Sequence, residues 1–198
     1  MSQTDLHARL LAALEAPGRP SSDYDLNPGV TLPPGRKLRP AAVLIAVTAA
    51  GRVILTKRSA RLQHHPGQIA FPGGKQDVGD ATLTDCALRE AHEEIGLSPD
   101  KVMPLGSLPA HETVTGFEVT PIVAIVEREF DPMPEAGEVD EVFSVPLSHV
   151  TNPARYVIEG RSWQGMWRRY YAVPYGPYYI WGATARILRG LTDRLSNG

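Results

Sequence analysis

Leu6, Leu10, Leu11 and Leu14 recur at helical spacing between Ser2 and Ala16, and Pro17-Gly18 stops the run. The chain is therefore predicted to open with a short amphipathic helix, with Ser2 or Thr4 as its N-cap. From Pro17 to Pro40 the sequence is rich in Pro, Gly, Asp and Asn, which predicts an extended connector rather than a second domain. Two continuous apolar runs follow, Ala41–Val47 and Arg52–Thr56, separated by Ala49-Ala50-Gly51. They read as paired, buried strands. Ile69–Phe71 is a short strand that delivers the chain into Pro72-Gly73-Gly74.

Ala81 to Ile95 runs fifteen residues without Gly or Pro. At ~100° of helical rotation per residue, Leu88, Ala91 and Ile95 share one side while Glu90, Glu93 and Glu94 share another. A helix is predicted there, ended by Gly96. Beyond it, strands are predicted at Val102–Leu108, Glu112–Val114, Phe117–Glu127 (the last two joined through Thr115-Gly116) and Val142–Val145, the last ended by Pro146. Arg155–Tyr171 reads as a hairpin turning near Glu159-Gly160, and Thr184–Leu195 as a closing amphipathic helix. Mixed strands with the Ala81–Ile95 helix and the terminal helix on opposite faces predict an α/β (α+β) fold, a three-layer α/β/α sandwich on a mixed sheet. Residues 1–40 form its N-terminal helix and connector, and 41–198 its main domain.

Composition narrows the function. The chain has 198 residues, 42% of them hydrophobic, enough for one ordinary core. A net charge of -2 leaves no footprint for nucleic acid or an acidic membrane surface. No apolar run approaches the ~18 residues a membrane-spanning helix needs, and the N-terminus lacks the basic region and apolar core of a secretory signal. Cys86 is the only cysteine, so no intrachain disulfide forms and a reducing, cytoplasmic compartment fits. Its burial on the helix as a small apolar residue is favoured over catalysis.

Three carboxylates at i, i+3 and i+4 repel one another, with Arg89 to Glu93 as the obvious internal compensation. Carboxylate oxygens are the ligands that hard divalent cations prefer. Taken alone, such a run more often marks a solvated face. The surrounding pattern separates the two readings. Arg89-Glu90-Ala91-His92-Glu93-Glu94-Ile95-Gly96-Leu97 resembles the second half of the Nudix box, G-x5-E-x7-R-E-U-x-E-E-x-G-U with U aliphatic. The first half departs from it: with five residues between, Gly74 is followed by Asp80 instead of Glu, and eight residues rather than seven separate Asp80 from Arg89. The same expansion is found in the branch that resembles coenzyme A pyrophosphatases. That branch also carries L-L-T-x-R-S-x-x-L-R-x-H-x-G-Q-x-x-F-P-G-G, which Leu55 to Gly74 matches except at Gln63.

The resemblance implies the Nudix fold and a Mg²⁺- or Mn²⁺-dependent hydrolase that splits the diphosphate of coenzyme A or acyl-CoA. Alternative substrates are ADP-ribose, NADH or nucleoside triphosphates, and a Nudix-fold binding protein without turnover is a further alternative. Glu90, Glu93 and Glu94 are the implied metal ligands, with a backbone carbonyl at Gly73 or Gly74 completing the shell. Arg89 orients them, and Glu93 also serves as a candidate base. Glu135, Glu138, Asp140 and Glu141 form an acidic loop ahead of Val142 that offers a further base or ligand, Glu138 or Glu141. Lys57, Arg58 and Arg61 suit the phosphates of the substrate. His65 and Gln68 belong to the signature loop as substrate contacts; adjacent His64 and His65 diverge and do not make a zinc pair. The aromatic residues from Trp163 to Trp181 are expected in the core or at a homodimer interface.

Overall fold

The computed structural model describes residues 3–33, 35–163 and 165–196. Helix α1 (Gln3–Glu15) buries Leu6, Leu10 and Ala13 along one face. Thr4 lies inside this helix, and Ser2 lies outside the described residues. The connector is stitched to the domain along its length. Its β1 (Ser21–Ser22) runs parallel to His111–Glu112. Fully buried His111 bonds Ser21 Oγ through Nδ1 (2.9 Å) and Asp23 through Nε2 (3.1 Å), and Asp23 also accepts the Val114 N–H at 2.9 Å.

Strands β2 (Arg39–Thr48) and β3 (Arg52–Arg58) turn at Gly51, whose φ of 69° suits glycine. The predicted pair holds only at this end, through Val47↔Val53, and then parts. Two short strands enter the gap. β4 (Ile69–Ala70) pairs with β3 at Thr56 and Lys57, and β5 (Gly73–Lys75) pairs with β2 from Ala41 to Val43. The parting thus makes room for the Gly73-Gly74 turn inside the sheet.

Helix α2 (Leu83–Ile95) starts from a reciprocal cap: Thr82 Oγ1 accepts the Asp85 N–H at 3.1 Å and the Asp85 carboxylate accepts the Thr82 N–H at 2.9 Å. Gly96, left-handed at φ 72°, ends it. Next come β6 (Val102–Ser107), β7 (His111–Glu112), β8 (Phe117–Val126) and β9 (Val139–Pro146). β8 lies parallel to β2 along its whole length, from Arg39↔Phe117 to Thr48↔Val126. β9 pairs antiparallel with β3, which completes a nine-stranded mixed sheet. Because β9 begins at Val139, Asp140 and Glu141 are strand residues; the acidic loop expected before Val142 keeps only Glu135 and Glu138.

Alternation along β2 sorts the two cores. Ala41, Ile45 and Val47 pack in the layer that holds Leu6 and Leu10 of α1, while Ala42, Leu44 and Ala46 pack against Ala87, Ala91 and Ile95 of α2. The tail adds the short α3 (Leu147–Val150), a separate hairpin of β10 (Val157–Trp163) and β11 (Met166–Ala172), and α4 (Gly182–Ser196). Leu188 and Leu191 of α4 join the α1 side, so helices cover both faces of the sheet and the three-layer α/β/α sandwich stands. The hairpin does not turn at Glu159-Gly160. Gly160 pairs with Arg169 inside the ladder, and the chain reverses between Trp163 and Met166, around Gly165 at φ 75°. The reason lies at Gly160: a Cβ there would sit 2.5 Å from the Trp167 indole nitrogen.

Candidate functional site

The site grows from the contact between the β5 turn and α2. Gly73 has φ 151°, and a Cβ on it would lie 2.4 Å from the Ala42 carbonyl oxygen. A Cβ on Gly74 would lie 2.5 Å from the Glu90 carboxylate carbon. Two glycines are therefore what let the turn lie flat on the helix. Glu94, with its side chain only 6% exposed, accepts the Gly73 N–H at 3.1 Å and has Arg58 Nη1 at 4.0 Å. Burial raises its pKa to about 7; the Gly73 N–H and Arg58 pull it back, while Glu90 and Glu138 push it further up. Burial also raises the half-buried Glu90 above the usual carboxylate range, against the pull of Arg89.

Arg89 is the hub. It grips Asp80 with two parallel bonds, reaches Glu90 Oε1 and Glu93 Oε2 from Nη1 (2.9 Å each), and touches the Lys75 carbonyl with Nη2 at 3.3 Å. Its bonds to Asp80 raise the arginine's pKa and hold the Asp80 carboxyl at about 2. Asp80, the residue that departs from the box pattern, thus anchors the cation that spaces the glutamates. Cys86 is buried beneath, its thiol 3.7 Å from the Gly74 carbonyl oxygen and pushed up to about 11 by burial.

Among the described residues, no three acidic, histidine or cysteine side chains converge on one point. Glu90 and Glu93 both turn toward Arg89 Nη1, and Glu94 turns toward Gly73. The chemistry of this donor set still fits a hard divalent cation. It consists of carboxylate oxygens and the adjacent Gly74 carbonyl, with a buried carboxylate, Glu94, whose ionisation its surroundings resist.

The upstream cations divide. Arg58 faces Glu94, whereas Lys57 and Arg61 act on Asp140 and help keep its carboxyl low, after the Ala60 N–H and Ser59. Strand alternation and the register shift of β3 against β9 between Lys57 and Arg58 separate the neighbours. The loop after Arg58 closes on itself: Arg58 N–H donates to the Gln68 carbonyl (2.9 Å) and Gly67 N–H to the Arg58 carbonyl (3.1 Å). His65 sits in it at φ 55°, hydrogen-bonded to the Gln68 side chain. Its outer edge is open, yet shielding by the loop, followed by the Arg58 cation, lowers its pKa. Glu138 is exposed, and its carbonyl receives the Ser59 N–H at 2.8 Å, which ties the acidic loop to the signature loop. Glu141 is engaged by the Tyr178 hydroxyl, and the Tyr178 ring stacks on Phe143 at 3.6 Å. Sequence reasoning did not single out Tyr178 as Glu141's partner. The two lie 37 positions apart, and no local pattern links them.

A family model described as "NUDIX domain" matches residues 37–163. The chain is 44% identical over 155 residues to "Uncharacterized Nudix hydrolase NudL" of Citrobacter koseri, covering 77% of this chain and 81% of that protein. It is 37% identical over 169 residues to the protein of the same name from Pectobacterium atrosepticum, covering 84% and 88%. Among solved structures, the NUDIX domain of Shewanella oneidensis NrtR complexed with ADP ribose superposes with a TM-score of 0.51 over 85% of this chain and 92% of that one. At 15% identity, that likeness concerns the fold.

Proposed function

Because the chain belongs to the Nudix family and is a hydrolase of phosphoanhydride bonds in nucleoside diphosphate derivatives, we propose that its substrate is coenzyme A or an acyl-CoA. Water would attack one phosphorus of the diphosphate, the P–O bond of the anhydride would break, and 3′,5′-ADP and 4′-phosphopantetheine or its acylated form would leave. The observation that carries this reading is the 4.0 Å approach of Arg58 to Glu94. It brings the Leu55–Gly74 signature, the segment that resembles the coenzyme A branch, against the carboxylate face of α2.

In this reading Glu90, Glu93, Glu94 and the Gly74 carbonyl hold Mg²⁺ or Mn²⁺, which neutralises diphosphate charge and lowers the pKa of water. Arg89 spaces Glu90 and Glu93 and is itself fixed by Asp80. Glu93, whose side chain is 57% exposed, or exposed Glu138 accepts the water's proton. Arg58 faces the phosphates, with His65 and Gln68 lining the approach. Lys57 and Arg61, set around Asp140, serve the more distant 3′-phosphate. Residues 1–40 brace the domain. A free, buried Cys86 suits the cytoplasm.

The test is a metal-dependent hydrolysis series over coenzyme A, its 3′-dephospho analogue, ADP-ribose and NADH. Wild type should prefer coenzyme A. Arg61→Ala should cost coenzyme A ~10- to 100-fold more in kcat/KM than the dephospho analogue, the worth of one charge-assisted contact, whereas Arg58→Ala should impair both alike. Equal handling of both compounds, or a preference for ADP-ribose, would overturn the coenzyme A reading.

A further inference from the structure

β10 and β11 form a two-stranded sheet of their own, and β10 has β11 as its only strand neighbour among the described residues. Isolated two-strand ribbons are marginal in water, and an open edge is a template for another strand. Val157 to Trp163 contains neither lysine nor proline, and its two charges, Glu159 and Arg161, are of opposite sign. The hairpin also exposes large apolar side chains. Val157 is 44% exposed, Ile158 45% and Trp167 68%.

The edge is complementary to itself. The Trp163↔Met166 pair closes the hairpin's turn, and ladder bonds to β11 alternate from it, so the backbone groups of Ile158, Gly160 and Ser162 point to the open side. We propose that a second copy of this chain pairs there, β10 antiparallel to β10, about a two-fold axis at Gly160. Gly160 then bonds the partner's Gly160, and Ile158 meets the partner's Ser162. Glu159 lies opposite the partner's Arg161, and Arg161 opposite the partner's Glu159. Directly opposed residues of an antiparallel pair share a face, so these two pairs reinforce each other.

The local contacts suit this arrangement. Tyr179 donates to Glu159, and the Arg161 guanidinium lies 5.2 Å from the Trp181 ring centre, so both charged heads are held at the hairpin. The Trp167 indole lies across Gly160, where any side chain would collide with it. Two-fold pairing brings two such indoles together beside the axis and covers the exposed Trp167 ring. Such an interface is isologous and closes at two copies.

The test uses full-length protein and sedimentation through the micromolar range. Wild type should dimerise. Glu159→Arg alone and Arg161→Glu alone each place like charges opposite one another, and each should weaken the dimer by roughly tenfold or more. An equimolar mixture of the two single variants restores both opposite-charge pairs and should dimerise again as a heterodimer. The mixture also distinguishes a broken interface from a misfolded chain. A monomeric wild type, single variants that dimerise like wild type, or a mixture that stays monomeric would each overturn the proposal.

Discussion

Asp80 meets Arg89 along both parallel N–H bonds of the guanidinium, Oδ1 to Nε at 2.9 Å and Oδ2 to Nη2 at 2.8 Å. The same guanidinium holds Glu90 and Glu93 through its remaining nitrogen, so the fork sets where two carboxylates stand. Lysine carries the charge but not the fork. Arg89→Lys is therefore expected to keep the circular dichroism spectrum and lose ~10- to 100-fold in turnover or metal affinity. Wild-type kinetics in this variant would remove Arg89 from its positioning role.

The fork also shapes acid stability. Asp80 is held at about 2 against 3.8 for a free carboxyl, so its contribution is complete above pH 3.8 and is lost as pH falls through 2. Thermal melts of Asp80→Asn should show a shallower acid limb across that window than wild type. Parallel limbs would count against the pairing.

Glu94 has the opposite sign. Its carboxyl titrates at about 7 in the fold against 4.5 when free, so between those values the folded chain keeps a proton that the unfolded chain has released. Stability should fall as pH rises through that window and level off above it. In metal-free protein, Glu94→Gln keeps an acceptor for the Gly73 N–H and should relieve up to roughly 3 kcal/mol above pH 7. The same variant should lose turnover by orders of magnitude, and Mg²⁺ should raise its melting temperature less than that of wild type. A variant no more stable than wild type at alkaline pH would refute the burial argument.

The two glycines should separate by what each would strike. A side chain on Gly73 meets backbone, which cannot step aside, and Gly73→Ala is expected to destabilise by roughly 2 kcal/mol or more in urea unfolding. A side chain on Gly74 meets the movable end of Glu90. Gly74→Ala should therefore weaken metal binding, measured by calorimetry, more than it lowers stability. The reverse ranking would show that the Glu90 contact is incidental.

Asp23 is the one acidic partner His111 Nε2 has among the described residues. Asp23→Ala strands that buried nitrogen and the Val114 N–H together, at a cost of roughly 2 kcal/mol in unfolding free energy. An unchanged urea midpoint would mean that the Asp23 contacts contribute nothing to stability.

What the sequence made legible is local. The box helix, its Gly96 stop and the β5 turn follow from periodicity and punctuation within a short window, as do the apolar runs of β2 and β3. What it hid depends on contacts between distant segments. Gly160 reads as a turn because glycine usually marks one, and only the Trp167 indole lying across it explains a glycine in mid-strand. Lys57 and Arg58 read as one cationic group, but adjacent residues on a strand diverge, and Arg58 alone reaches Glu94. Asp140 and Glu141 read as loop because charges suggest solvent, yet β3 supplies a ladder that pairs Glu141 with Lys57 and leaves Asp140 in the bulge beside it.

The parallel pairing of β2 with β8 has a kinetic consequence. Arg39 must wait for Phe117, 78 positions later, before its long ladder can form, and the hairpin to β3 secures only one pair in the meantime. At a synthesis rate of ~5–20 residues per second, the Ala41–Val47 run spends seconds without its long partner. Pairing this distant in sequence also forms slowly once the chain is complete. The nascent chain is then an apolar strand whose β8-facing edge is open, with only the single β3 pair, the short β5 and α2 beside it. Yield should accordingly rise when a chaperone shields the emerging chain.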